Sequence, residues 1–192
     1  MPKKSNTPVE AISKENVLKV HSVLSQHKNS VYADVWAIGC QLGLRISDLL
    51  SIRYSDLDLD KRVLTLVESK TQKTKTITLN VKAIDTIKAR QADYLDHTFL
   101  FEVDSNKCLK MSELKAISRS SVARVFKKAG DGLGLHIGTH SMRKSRGKAM
   151  FDAGNSVALI AKVLNHSSEA VTLNYIGITQ KNVADTYDEI IL

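Results

Sequence analysis

The chain is 192 residues long and carries 28 Lys and Arg against 20 Asp and Glu, a formal net charge of +8. That length accommodates one domain with a core plus a short arm, and the basic excess points to a polyanionic partner, nucleic acid being the commonest. No apolar run approaches a membrane span of roughly 20 residues, the start Met1–Asn6 lacks an apolar signal segment, and Cys40 and Cys108 make no metal or redox spacing. The expectation is a reduced, cytoplasmic protein.

Residues 1–12 are polar and aperiodic and read as a loose arm. Ser13 caps a predicted helix running to Gln26, with Val17, Val20, Leu24 and Leu18 on its buried side. Asn29-Ser30 precedes a second helix, Val31–Leu42, in which Val35, Trp36, Ile38 and the small Cys40 are core candidates, and Gly43 ends it. A short helix near Ser47–Ile52 leads to a turn at Tyr54–Asp56. The period then changes to two: Arg62–Val67 and Thr74–Leu79 are rich in β-branched residues and read as strands around a basic hairpin loop, Glu68–Lys73. Helices follow at Val81–Tyr94, Arg119–Ala129, His140–Ala153, Val157–Leu164, Glu169–Asn174 and Lys181–Ile190. Asn80, Ser118, Thr139, Asn155 or Ser156, and Ser168 are placed to cap them. The fold class is therefore mainly α with a small antiparallel β-sheet inserted early (α+β). No repeat, low-complexity tract or Pro-rich linker suggests a second domain.

Charge is segregated along this chain. Positive residues gather at Lys61–Lys75, Arg119–Lys128 and Arg143–Lys148, whereas Asp185, Asp188 and Glu189 make the C-terminal end acidic. Along the same chain lie Arg45, Lys70, His140, Arg143, His166 and Tyr175, the residue types needed to break a phosphodiester without a metal. Such a reaction must neutralise charge growing on the nonbridging oxygens and protonate a poor leaving group. Arginine meets the first need with a permanently charged planar fork, and a lysine in a cationic site can release a proton for the second. Histidine binds an oxyanion or moves protons near neutrality, and a deprotonated tyrosine is a covalent nucleophile. His140 and Arg143 share a face at the start of a helix, where free N–H groups favour phosphate. Each residue taken singly has an ordinary structural explanation; order and spacing together favour the phosphodiester site. A metal site on His136 and His140 is disfavoured by Gly138 between them and by the lack of nearby Cys or carboxylate partners, so no metal and no cofactor is expected.

The stretches Gly-Leu-Arg-Ile-Ser-Asp-Leu-Leu around Arg45, Glu-Ser-Lys-Thr-Gln-Lys around Lys70, Thr-His-Ser-Met-Arg-Lys around His140 and Arg143, Leu-Asn-His-Ser-Ser around His166, and Val-Thr-Leu-Asn-Tyr-Ile around Tyr175 together resemble the catalytic domain of the tyrosine recombinases, the phage integrase family. The resemblance spans residues 10–180 and implies that family's DNA breaking-rejoining fold. It implies that Arg45 and Arg143 clamp the scissile phosphate, Lys70 protonates the 5′ oxygen, His140 assists proton movement, His166 bonds a phosphate oxygen, and Tyr175 forms a 3′-phosphotyrosine link. Asp48, in the family's acidic position, would brace the site.

Lys73, Lys75, Lys144, Arg146 and Lys148 are candidate DNA contacts. The implied partner is double-stranded DNA, on which the chain would act as a dimer to tetramer, with accessory DNA-bending proteins and a nucleoid location. The domain reading is an arm at 1–12, a catalytic domain at 13–180 and a helical tail at 181–192, exchanged between protomers or docked on its own domain.

Two departures stand out. Asn165 replaces the Gly that usually precedes the second histidine, and the separate N-terminal helical domain of most family members is missing. The chain is thus a naturally compact recombinase or an excised catalytic fragment. A type IB topoisomerase or a non-catalytic DNA-binding regulator are the alternative readings.

Overall fold

The computed structural model describes residues 11–102, 115–178 and 180–191. Its first half holds α1 (Lys14–Ser25), α2 (Val31–Leu42), α3 (Ile46–Leu50), a 3₁₀ turn (Tyr54–Asp56), β1 (Leu57–Asp58), β2 (Val63–Val67), β3 (Thr74–Thr78) and α4 (Val81–Asp93). The second half is helical: α5 (Arg119–Gly132), α6 (Ser141–Asp152), α7 (Val157–Leu164), α8 (Glu169–Ile176) and α9 (Gln180–Glu189). The mainly helical class with a small antiparallel sheet is therefore observed. No helix among the described residues is long and apolar enough to cross a membrane.

Most helix starts follow the side-chain chemistry read from the sequence. Ser13, Asn80, Ser118, Ser156 and Ser168 each accept a bond from the backbone N–H three residues on, satisfying a donor that the helix leaves unpaired. Thr139 does not cap α6. The N-cap is His140, with no side-chain bond, and the Gly138 N–H donates instead to Ser141 Oγ at 3.1 Å. Ser30 likewise makes no capping bond; Asn29 Oδ1 accepts from Val31 N at 3.0 Å.

The core is organised on α2, where Val35, Trp36 and Ile38 are fully buried. Trp36 meets Phe126 of α5 edge to face at 5.1 Å and donates its indole N–H to Val17 O at 3.0 Å, so the one polar atom of the largest core side chain is satisfied. Cys40 lies in the same core, and burial pushes its thiol up to about 12. Leu18, expected inside, is 59% exposed, because a neighbour of Val17 lies about 100° round the helix from the buried stripe. Ile12, assigned to the loose arm, is buried and donates its N–H to Ser145 Oγ of α6 at 3.1 Å; the remaining arm residues 1–10, and Cys108, lie outside the described residues.

The sheet runs β1-β2-β3, antiparallel throughout, with Leu64 opposite Ile77 and Val67 opposite Thr74. Leu64 and Leu66 point inward while Thr65 and Val67 stay exposed, the alternation expected of a sheet with one covered face. Strand β1, two residues long, is too short to show a period and was not predicted.

A second, smaller apolar cluster forms from Ile160, Leu164 and Ile176, with Met150, Phe151, Tyr175 and Ile178 packed against it. Here α6 meets α7 and α8 at Gly147, where a Cβ would fall 3.0 Å from Leu164 Cδ1 and 3.1 Å from Ile176 Cγ2. Only a residue without a side chain allows this approach.

Candidate active site

Gly43 ends α2 in the left-handed conformation at φ 63°, and the turn it makes serves both arginines. Its carbonyl accepts from Arg143 Nη1 at 2.7 Å, while two residues later Arg45 forms the N-cap of α3. Side chains nearly a hundred positions apart thus meet at one turn. Arg143 is 3% exposed; Arg45, at 21% side-chain exposure, is the more accessible of the two.

Two buried carboxylates flank Arg45. Glu68 Oε1 lies 3.2 Å from its Nη1, and Asp48 Oδ2 lies 3.9 Å from the same nitrogen. Asp48 Oδ1 accepts from the backbone N–H of Ser69 at 2.9 Å and from its hydroxyl at 2.6 Å. It therefore ties α3 to the start of the loop that carries Lys70. Lys70 itself is exposed on that loop, between β2 and β3.

The second histidine sits just past α7, whose C-cap Asn165 has φ 49° and ψ 53°. Asn can adopt this left-handed cap almost as Gly does, and the His166 N–H returns to Ala161 O at 2.9 Å to close the helix end. His166 Nδ1 is 3.0 Å from Thr172 Oγ1, and the Thr172 hydroxyl donates to Ser168 O at 3.3 Å. With its only proton so used, Thr172 accepts from Nδ1–H, which leaves Nε2 with a lone pair. Partial burial, then Arg143 and Arg45, pull the His166 imidazole down to about 4, so it is neutral at pH 7.

Tyr175 belongs to the last turn of α8, which ends two residues later than predicted, and Gly177 at φ 86° is the left-handed cap that follows. Its ring packs edge to face on His166, with centroids 4.8 Å apart, and Lys144 Nζ lies 5.2 Å from the ring centroid. The hydroxyl is buried without a geometrically well-formed hydrogen bond. Burial raises its pKa, opposed first by the adjacent Arg143 and more weakly by Arg45. At neutral pH it is a phenol, not a phenolate. His140 stands exposed at the head of α6, its pKa lowered by partial burial and by Arg119, Arg143, Lys144 and Arg45.

The structure brings Arg45, Arg143, His166 and Tyr175 into one cluster, with His140 at its edge and Lys70 on the loop tied to it through Asp48. The expected DNA contacts divide. Lys73 is exposed and Arg146 half-buried beside Gly43, whereas Lys148 pairs with Asp152. Lys75 is half-buried with its ammonium on Val163 O at 2.8 Å, so its charge faces the protein. Sequence reasoning missed Glu68, Thr172 and the side chain of Asn165. For Glu68 the available signal was an acidic residue continuing the alternation of β2 at a buried position inside a basic loop.

The model of the phage integrase family matches residues 12–182. The chain belongs to that family, the tyrosine-type site-specific recombinases. Among its relatives, the probable integrase/recombinase YoeC of Bacillus subtilis is 29% identical over 94% of both chains. Tyrosine recombinase XerA of Pyrococcus furiosus is 27% identical over 97% of this chain but 64% of its own length. Among solved structures, a XerA recombinase superposes with TM-score 0.72 at 18% identity, over 98% of this chain and 66% of that one. A lambda integrase dimer bound to a COC′ core site gives 0.69 at 18% identity, over 91% and 62%. The fold is that of these recombinases.

Proposed function

We propose that this chain cuts and rejoins DNA at a specific site, with Tyr175 as nucleophile, and exchanges strands between two duplexes so that an element is integrated, excised or inverted. The observation that carries the reading is the Tyr175 hydroxyl, buried beside the Arg143 guanidinium with its ring packed edge to face against His166.

In the reaction, a phosphate takes the space shared by Arg45, Arg143 and His166. Tyr175 Oη attacks phosphorus, the bond to the 5′ oxygen breaks, and that oxygen takes a proton from Lys70. The tyrosine proton passes to a neutral imidazole, with His140 at the mouth of the site as acceptor. His166 has Nε2 bare in the free protein; the phosphate charge favours its protonation, after which it donates to a nonbridging oxygen. Asp48 holds the Lys70 loop through Ser69. The 3′-phosphotyrosine conserves the phosphodiester's energy, so religation reverses each transfer and requires no nucleotide hydrolysis.

Lys73, Lys144 and Arg146 supply backbone contacts to the duplex, and Lys148 joins them when it leaves Asp152. The basic excess accounts for affinity rather than sequence choice. The active assembly is a dimer or tetramer on DNA at the nucleoid, with accessory bending proteins where the site demands them. Tyr187, Ile190 and Ile191 are 81%, 64% and 89% exposed, which favours a tail seated on a neighbouring protomer over one docked on its own domain.

The test is covalent trapping. Wild type is incubated with nicked duplexes prepared from the genome that encodes it, then resolved on a denaturing gel. A protein–DNA adduct mapping to Tyr175 and lost in Tyr175→Phe is the expected result. Absence of an adduct from wild type on every fragment, with duplex binding intact, would favour a non-catalytic regulator. Adducts accompanied by supercoil relaxation without two-site exchange would indicate a topoisomerase.

A further inference from the structure

Glu68 is a buried carboxylate with a full set of partners drawn from three separate parts of the chain. Oε1 accepts from Arg45 Nη1 at 3.2 Å, while Oε2 accepts from Thr71 Oγ1 at 2.8 Å and from the Asn165 side-chain amide. Its own backbone closes the hairpin loop, donating to Lys73 O at 3.0 Å and accepting from Gln72 N at 2.9 Å. Around this centre two further bonds join the same parts: Arg45 Nη2 donates to Asn165 O at 3.3 Å, and Lys75 Nζ donates to Val163 O at 2.8 Å. The loop carrying Lys70, the turn carrying His166 and the fork of Arg45 are therefore cross-linked through one side chain.

A buried negative charge here requires an explanation. It weakens the pull of Arg45 on an incoming phosphate, and a packed apolar residue would serve stability as well or better. What an apolar residue cannot do is fix the direction of a guanidinium. Each terminal nitrogen of Arg45 spends one N–H on this brace, Nη1 on Glu68 and Nη2 on Asn165 O. Each retains its second N–H, so a held fork can still meet an oxyanion in two places. Asn165 matters for the same reason. A Gly would satisfy the left-handed backbone at this position, but only a side chain with an amide reaches Glu68.

We propose that Glu68 is a positioning residue that, with Asn165, locks the Lys70 loop, the His166 turn and Arg45 into one unit before DNA arrives. Glu68 touches no substrate; it sets the groups that do. This inference rests on the recombinase reading for its catalytic consequence, but its structural core does not depend on activity.

The experiment compares wild type with Glu68→Gln, Asn165→Gly and the double variant, first by amide hydrogen exchange and thermal melting. Glu68→Gln conserves volume but has one acceptor oxygen for donors that now approach from both sides. Asn165→Gly keeps the left-handed backbone, removes only the amide, and sits far from the hairpin in sequence. If the lock exists, each single change speeds exchange at least roughly fivefold at both Ser69–Thr71 and His166, and the double variant adds little. If each change loosens only its own segment, or the effects simply add, the proposal is overturned.

The second readout is single-turnover cleavage against affinity for a fluorescein-labelled random duplex. Loss of the carboxylate should leave affinity unchanged or tighter, since a negative charge leaves the site, while cleavage falls roughly tenfold or more. Affinity and rate falling together with a lowered melting temperature in both single variants would mark Glu68 as merely structural and sink the idea. Should wild type form no adduct at all, the recombinase reading fails, and the exchange data still decide the lock.

Discussion

His166 should stay neutral in the free protein through most of the acid range, and this has a measurable consequence for both titration and stability. A histidine with an ordinary value of 6.5 is here drawn down to about 4 by partial burial and by Arg143 and Arg45. At pH 7 roughly one molecule in a thousand would carry the imidazolium. In a dry site, a gap of that size corresponds to roughly 3 kcal/mol; His166 is only half-buried, and solvent screening reduces this to about 1–2 kcal/mol.

The sign follows from which state binds the proton. The unfolded chain takes up a proton near 6.5 and the folded one only near 4, so stability present above the unfolded value is lost as pH falls through this window. Long-range ¹H–¹⁵N spectra, assigned by the resonance missing in His166→Gln, should show a midpoint near 4, moving upward in Arg45→Ala. Urea unfolding at pH 7 and at pH 4.5 should cost wild type about 1 kcal/mol more than His166→Gln. Saturating phosphate or a short duplex should raise the midpoint, because an anion stabilises the charged ring. A midpoint at 6.5 without anions, indifferent to Arg45, would place the ring outside the arginine field and refute the argument.

Other outcomes follow from the same geometry. Lys70→Ala removes an exposed side chain, so unfolding should change by less than about 0.5 kcal/mol while cleavage slows roughly 100- to 10,000-fold; a substrate with a 5′-bridging sulfur, which leaves without protonation, should recover most of that rate. Gly147→Val drives a methyl into Leu164 and Ile176 and should cost about 1–3 kcal/mol by denaturant melting, with adduct formation falling further than stability because α7 and α8 carry His166 and Tyr175. Trp36→Ala empties the centre of the core and should cost about 3–5 kcal/mol, lowering the thermal midpoint without altering the cleavage pH profile of the remaining folded protein.

Much of the fold was legible because local signals agreed with one another. Val157–Leu164 is bounded in the structure where the sequence places it, since Ser156 caps its start and Asn165 its end. The hairpin strands were visible in the alternation of Val63–Val67 and in the β-branched run Thr74–Thr78. Where a signal was too short or too remote, the reading missed. Strand β1 exists only because Leu57 and Asp58 find partners in β2, and α8 runs on to Ile176 because Tyr175 and Ile176 gain packing against the second cluster. The bond from Lys75 to the Val163 carbonyl, at the end of a distant helix, likewise has no local signal in the sequence.

From the residues alone came the helices, the hairpin, the order of the reactive side chains and the family to which they belong, since caps, periods and short motifs act over a few positions. Only the tertiary structure decided how those side chains are held. It seats Arg143 on the Gly43 carbonyl, orients His166 through Thr172, buries Tyr175 beneath it and ties Arg45 to Glu68 and Asn165. Charge, protonation and direction depend on what packs around a group in space, and for these groups the neighbours that matter come largely from other elements of the fold.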